Sequence, residues 1–412
     1  MIKREATDTL HLLAQHHPVL VVTGPRQSGK TTLVQRAFAG KPYLSLEDPD
    51  VREAADADPR GLLSGLPEGA ILDEAQRVPG LFSYLQTLVD DDRQPGKWVI
   101  TGSQHLGLMA AVTQSLAGRA GLLHLLPLTL PELTQKHAHP AMEMLLWRGQ
   151  YPALWASKVP PALWMADYVA TYVERDVRQL VNVRDLAAFQ RFLRMCAARS
   201  AQTVNLSALG ADCGITTNTA KAWLSALEAS YIVFTLPAWH ANLGQRLVKA
   251  PKLYFYDTGL AAWLCGLQDP QALALSSLRG PLFETWAVGE FVKARCNLRL
   301  SPLLHHFRNA GGLEVDLVLE AAGGTLTGVE FKSGQTLAGD WVQPLHRFGQ
   351  LTGAATLAVV HGGKLGTLRN GVEMVPWQTL PQWARACMGQ TELAGITPAP
   401  IQPAARARAK QR

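Results

Sequence analysis

Residues 19–38 read VLVVTGPRQSGKTTLVQRAF. A β-branched run, Val19 to Thr23, leads into Gly24-Pro25-Arg26-Gln27-Ser28-Gly29-Lys30-Thr31, with Thr32 behind it. This is GxxxxGK[ST] between a strand and a helix, the setting its chemistry requires. The glycines let backbone N–H groups wrap phosphate oxygens. The Lys30 ammonium is placed to reach the β- and γ-phosphates, and the Thr31 hydroxyl to hold Mg²⁺. The first unit is therefore expected to be an α/β domain that binds ATP with Mg²⁺, using residues 24–32.

Two further stretches fit that expectation. GAILDEAQRVP makes Ile71-Leu72 a buried strand ending in Asp73-Glu74. An acid at such a strand end supports the Mg²⁺ shell, and the adjacent Glu74 orients and polarises an attacking water. KWVITGSQ is a third strand, residues 97–104. Its polar end, Thr101, Ser103 and Gln104, lies beside the γ-phosphate if this strand runs between the other two.

A chain of 412 residues with 47% hydrophobic content is too long for one ordinary core and implies two or three domains. No apolar run reaches the roughly 18 residues of a membrane helix, and the start MIKREATDTLHLL lacks a signal-peptide pattern. The expectation is a soluble, cytoplasmic protein without a membrane partner. Cysteines at 196, 213, 265, 296 and 387 show no CxxC spacing and read as free thiols. The pairs His16-His17 and His305-His306 have no further ligands at metal spacing. The pI is about 9.1, but Arg406, Arg408, Lys410 and Arg412 supply four of the net +6, leaving +2 for residues 1–400. The charge describes a basic tail, not a basic body.

TGPRQSGKTTL, ILDEAQRVP, ITGSQ and SLAGRAGLLHLLPLTLPEL together resemble the bacterial AAA-type ATPases that carry a DUF4143 C-terminal region. The resemblance implies an AAA+ fold with a parallel sheet, and a first-sensor role near Ser103 or Gln104. It also singles out Arg119 in SLAGR. That arginine reads either as a finger for the transferring phosphoryl group of a neighbouring subunit, which implies a homo-oligomer, or as a surface residue pairing locally. Only Arg246 offers itself as a second sensor.

Pro160 to Arg199 has helical spacing. Glu174, Arg175, Asp176 and Arg178 crowd together in YVERDVRQL, a pattern that is more often an ion-paired face than a site. NLSALGADCGITTNTAKAWLSALEASYIV follows with helix-turn-helix spacing: a short helix to Gly214, then a helix capped by Thr216 or Thr217. YIVFTL and KLYFYD supply a wing. The outward face of the second helix, Asn218, Lys221 and Ser225, carries one charge, where phosphate anchoring needs several. The low charge favours a spacer or partner surface over a DNA-reading helix.

RGPLFETWAVGEFVKARC reads as a helix with acids Glu284 and Glu290, followed by the hairpin EVDLVLEAAGGTLTGVEFK, residues 314–332. With a strand period of two, Val315, Leu317 and Leu319 share one face, and Glu314 and Asp316 the other. Glu330 and Lys332 likewise oppose Val329 and Phe331. Two carboxylates and an ammonium on facing strands make either a divalent-metal site or a structural salt bridge. Acid on a helix, then D, then ExK resembles the PD-(D/E)XK nuclease superfamily. In that comparison Glu284, Asp316 and Glu330 are metal ligands and Lys332 a catalytic residue, with Glu290 the rival helix acid. This sequence has EVD in place of Pro-Asp. The two resemblances together span residues 10–375.

The expected organisation is an AAA+ P-loop domain over 1–155, a helical and winged-helix region over 156–270, a restriction-endonuclease-like α/β domain over 271–385 and a basic tail over 386–412. Two functions are expected to compete. One is an ATPase that controls a nuclease-like module acting on DNA or RNA. The other is a nucleotide-switched scaffold that binds a protein partner through a silent C-terminal domain.

Overall fold

The computed structural model describes residues 2–103, 105–173, 183, 185–241, 250–300 and 303–389. Gln104, Glu174, Arg175, Asp176, Arg178, Arg246 and the basic tail lie outside the described residues. Among those described, no helix is long and apolar enough to cross a membrane.

The helix Ala6–His16 precedes β1 (Val19–Thr23), and the helix Lys30–Ala37 follows it. Then come β2 (Tyr43–Ser45), β3 (Ile71–Asp73), the helix Leu81–Asp91, β4 (Trp98–Gly102) and β5 (Ala120–His124). These strands form one parallel sheet in the order β2-β3-β4-β1-β5. β4 does run between β3 and β1, as the polar end of KWVITGSQ requires. β1 is apolar along its length because both its faces are covered. Leu20 and Val22 pack with Leu10, Leu13 and Val34, and Val19 and Val21 pack with Leu85 and Val112.

In the middle of the chain, the helix Leu186–Ala198 is followed by β6 (Gln202–Thr203), the helices Leu206–Cys213 and Thr217–Ala229, β7 (Val233–Leu236) and β8 (Lys252–Phe255). The three strands pair in the order β6-β8-β7. Gly214 turns the chain at φ +71° between the two helices. Thr216 caps the second one, its side chain accepting from the Thr219 N–H at 3.1 Å. Trp223 sits edge-on to Phe189 and Phe192 and joins this unit's helices.

The helix Arg279–Leu298 opens the last unit. It is followed by β9 (Leu303–Arg308), β10 (Glu314–Glu320), β11 (Leu326–Lys332), the helix Gln343–Thr352, β12 (Thr356–His361), β13 (Thr367–Arg369), β14 (Val372–Pro376) and the helix Leu380–Cys387. The mixed sheet has the order β13-β14-β12-β11-β10-β9, antiparallel on the β9–β11 side and parallel through β11, β12 and β14.

One expectation fails here. Val315, Leu317 and Leu319 do not share a face. A bulge shifts the β9–β10 register between Val315 and Val318. Val315 and Val318 pack with Leu345 and Phe348, while Leu317 and Leu319 join the core that holds Phe283 and Phe291. At the bulge the Phe331 N–H donates to the Asp316 carboxylate at 3.1 Å.

The middle and C-terminal sheets are separate, but one hydrophobic core runs from Leu126 to Met388 and joins them. The Arg279–Leu298 helix is its spine. It touches β5 and the Ala6–His16 helix, and also β8 and β11.

Candidate functional site

The phosphate loop is shaped by three residues with positive φ: Gly24 (+146°), Gln27 (+60°) and Gly29 (+92°). A Cβ at Gly24 would fall 2.1 Å from the Leu125 carbonyl oxygen, so both backbone angle and space demand glycine there. The Lys30 ammonium is buried inside the loop and donates to the carbonyls of Gly24 (2.9 Å) and Pro25 (2.8 Å). Burial lowers its pKa to about 8, with the carboxylates of Glu74 and Asp73 acting against the shift. Arg4 braces the loop from outside: it donates to the carbonyls of Ser28 and Leu126 at 2.6 Å and to Glu132 at 3.0 Å. The Arg26 guanidinium lies 5.3 Å from the centre of the Tyr172 ring.

β3 delivers its acids to this loop. Asp73 Oδ2 accepts from the Thr31 hydroxyl (3.0 Å) and the Tyr43 hydroxyl (2.5 Å), and Oδ1 accepts from Thr101. Glu74 turns away from the strand in the left-handed region, φ +53°. Its Oε2 accepts from Ser103 (3.1 Å) and Gln76 (2.5 Å). The polar end of β4 therefore meets both β3 acids. Magnesium takes few protein oxygens and keeps several waters. One hydroxyl and one carboxylate 3.0 Å apart at the mouth of the loop fit that demand.

A cavity of about 800 Å³ opens beside Gly29 and Thr32, with Arg4, Thr7, His11, Arg36 and Trp155 among its walls. Ser28 Oγ and His11 Nδ1 line it buried and without a hydrogen-bond partner.

Arg119 is elsewhere. It precedes β5, whose Ala120 pairs with Val19, at the opposite end of β1 from the loop. Its Nε and Nη2 donate to Asp90 at 2.7 Å and its Nη1 to the Ala117 carbonyl at 3.0 Å, the local pairing that the sequence left open.

In the last unit, Glu284 and Asp316 meet, but around an ammonium the sequence did not mark. Lys252 Nζ donates to Glu284 Oε1 (3.0 Å), Asp316 Oδ1 (3.0 Å) and Glu314 Oε1 (2.7 Å), and only 2% of its side chain is exposed. Tyr254 adds a hydroxyl to Glu284 at 2.7 Å. Burial works against the Lys252 charge, yet Asp316, Glu284 and Glu314 hold its pKa above the ordinary value. Glu284 is raised by burial and then by Asp316. Glu330 is raised by the same two causes, and its Oε2 takes the Lys332 ammonium at 2.6 Å. The expected metal set of Glu284, Asp316 and Glu330 is thus brought together only in part. Among the described residues no group of three or more His, Cys, Asp or Glu is placed to hold a metal ion. The rival acid Glu290 faces away, accepting from the Leu130 N–H, Gln150 and Lys293. The missed residue left one trace: in KLYFYD, Lys252 and Tyr254 share a strand face.

Residues 16–134 match the family described as AAA domain, residues 139–271 the domain of unknown function DUF8612, and residues 279–380 the domain of unknown function DUF4143. Uncharacterized proteins of Mycobacterium tuberculosis and Mycobacterium bovis are each 33% identical over 325 residues, covering 78% of this chain and 72% of theirs. Among solved structures, a Walker-type ATPase of Pyrococcus abyssi aligns with 64% of this chain and 96% of its own, at 15% identity and a TM-score of 0.44. An AAA match ahead of a DUF4143 match, in a chain identical to the mycobacterial proteins at a third of the aligned positions along most of both, makes this protein a member of the AAA-type P-loop ATPases with a DUF4143 region, an ATP-binding ATP hydrolase.

Proposed function

We propose that the protein hydrolyses Mg²⁺-bound ATP and uses its nucleotide state to control the units behind the ATPase domain. Lys30 bears on the β- and γ-phosphates, and residues 24–32 wrap them with backbone N–H groups. Thr31 ligates Mg²⁺, with Asp73 in the outer shell. Glu74 activates the attacking water, and Ser103 holds Glu74 and senses the γ-phosphate. The base enters the cavity beside Gly29, where Ser28 and His11 have unused polar atoms. The observation that carries this reading is the meeting of three elements at one point: Thr31 of the loop bonds to Asp73 at the end of β3, and Ser103 at the end of β4 bonds to the adjacent Glu74.

The test is steady-state ATP turnover alongside equilibrium nucleotide binding, with and without Mg²⁺. Lys30→Ala should lose both. Glu74→Gln should keep binding and lose turnover by about 10²-fold or more. Full turnover in Glu74→Gln would remove the proposed base.

The controlled units are the winged-helix region near 156–270 and the nuclease-like domain near 271–385, acting on DNA or RNA in the cytoplasm. Helix, strand, two helices and a hairpin with the order β6-β8-β7 support a winged helix. Exposed Asn218, Lys221 and Ser225 form its outer face. The arrangement of Glu284, Asp316, Glu330 and Lys332 supports the nuclease-like ancestry of the last unit. A second reading is a nucleotide-switched scaffold for a protein partner, with that unit silent. The Lys252 ammonium among the carboxylates favours it. Arg119 serves a neighbouring subunit only if it leaves Asp90, and a homo-oligomer is part of that reading alone. Mg²⁺-dependent cleavage of DNA or RNA lost in Asp316→Ala would decide for the first reading. Intact nucleic acid, with nucleotide-dependent partner capture lost in Lys30→Ala, would decide for the second.

A further inference from the structure

We propose that Lys252 is a built-in cation that excludes divalent metal from the C-terminal carboxylate cluster. The nuclease resemblance implies a metal among Glu284, Asp316 and Glu330. The residues as placed do not fit one, and the misfit has a specific author in the chain. An ammonium has three N–H donors and no acceptor. All three are matched by carboxylates of Glu284, Glu314 and Asp316, each within 3.0 Å of Nζ. A divalent ion needs several such oxygens at about 2.0–2.6 Å, and here Glu284 Oε1, Glu314 Oε1 and Asp316 Oδ1 face the ammonium while Asp316 Oδ2 takes the Phe331 N–H. It cannot share them with a cation already at their centre.

The plug is held by backbone, not by a loose side chain on a loop. Lys252 is the first residue of β8 and pairs with Thr203 of β6 on one side and Leu236 of β7 on the other. Two residues on, Tyr254 points the same way and bonds to Glu284. The lysine and the acids come from different units: β8 belongs to the middle sheet, Glu284 to the Arg279–Leu298 helix, and Glu314 and Asp316 to β10. Metal therefore enters only when the middle sheet draws away from that helix. This inference concerns the metal-free cluster itself and stands whether or not ATP drives the separation.

The experiment counts manganese bound to the nucleotide-free full chain, read from the loss of the free Mn²⁺ paramagnetic signal. Wild type and Asp316→Asn should bind alike, because no Asp316-dependent site is open. Lys252→Met should gain one site at least about tenfold tighter than anything at the cluster in wild type, and Asp316→Asn in the same background should remove it. The far-ultraviolet circular dichroism spectrum and the unfolding midpoint of Lys252→Met report that it folds. An Asp316-dependent Mn²⁺ site in wild type would overturn the proposal, as would a folded Lys252→Met that gains none. If Lys252→Met does not fold, Lys252→Gln, which keeps a polar side chain without the charge, takes its place under the same two outcomes. Absent turnover in wild type would remove the proposed ATPase mechanism and leave the manganese result intact.

Discussion

Lys30 makes a pH dependence that can be worked out in sign. Its ammonium is buried, and that burial brings the pKa in the nucleotide-free loop down to about 8. A bound triphosphate stabilises the charged form and raises the pKa again. Affinity for ATP is then full below about 8 and falls as pH rises through it, by up to about tenfold per pH unit until the bound-state pKa is reached. Nucleotide titrations from neutral to alkaline pH should show this fall, and Lys30→Arg, whose guanidinium does not titrate there, should flatten it. A flat wild-type profile would mean that Lys30 is charged throughout. Gly24 carries a second expectation: Gly24→Ala puts a Cβ against the Leu125 carbonyl at a φ alanine avoids, and should lose nucleotide binding while the β-sheet signal persists. Both residues are legible in the sequence because a phosphate loop is a local device, with spacing and backbone freedom within eight positions. Lys252 is not, because its partners lie 32 to 64 positions away and no pattern in KLYFYD says which face meets acid.

At the scale of the element, helix ends are written locally and strand faces are not. Asn205 and Thr216 cap the helices that follow them, each side chain accepting an N–H three residues on. Those caps, the Gly214 turn and the apolar stripe through Trp223 and Leu227 are all present in the sequence. Thr216→Ala should cost about 1 kcal/mol, read as a lower denaturant midpoint with unchanged slope. No change in midpoint would show that the helix is held by its packing on Phe189 and Phe192 alone. The β10 hairpin is the contrary case. Its alternation predicts one apolar face, and the bulge before Val318 divides that set between two cores. A bulge adds one residue to one strand. Beside it the Asp316 carboxylate takes the Phe331 N–H from the neighbouring strand, a contact that strand period does not reveal.

Across the whole molecule, the ATPase domain meets the C-terminal unit through buried charge. Lys293, on the Arg279–Leu298 helix, donates to the Leu128 carbonyl (3.0 Å), to Gln150 (2.5 Å) and to Glu290 (3.1 Å). Glu290 in turn accepts the Leu130 N–H. Leu128 and Leu130 follow β5 directly, and Arg4 ties the neighbouring Leu126 carbonyl to Ser28 of the phosphate loop. The same helix carries Glu284, less than two turns before Glu290, so the joint and the Lys252 cluster lie on one element. Sequence divides the chain into units by motif, and motif is blind to this joint, since the bonds of Lys293 to Leu128 and Gln150, of Glu290 to Leu130 and of Arg4 to Leu126 each span more than a hundred positions. The joint has a sharp energetic signature. Removing one member of a buried ion pair strands the other charge and costs about 3–5 kcal/mol, while removing both charges together costs far less. Lys293→Met should therefore lower the unfolding midpoint steeply, and Lys293→Met with Glu290→Gln should recover most of the loss. If the double variant is as unstable as the single one, the loss comes from the Lys293 bonds to Leu128 and Gln150 across the units and not from a stranded Glu290 charge. Recovery in the double variant leaves the apolar core that Leu126, Leu128 and Phe291 share as what fastens the two units.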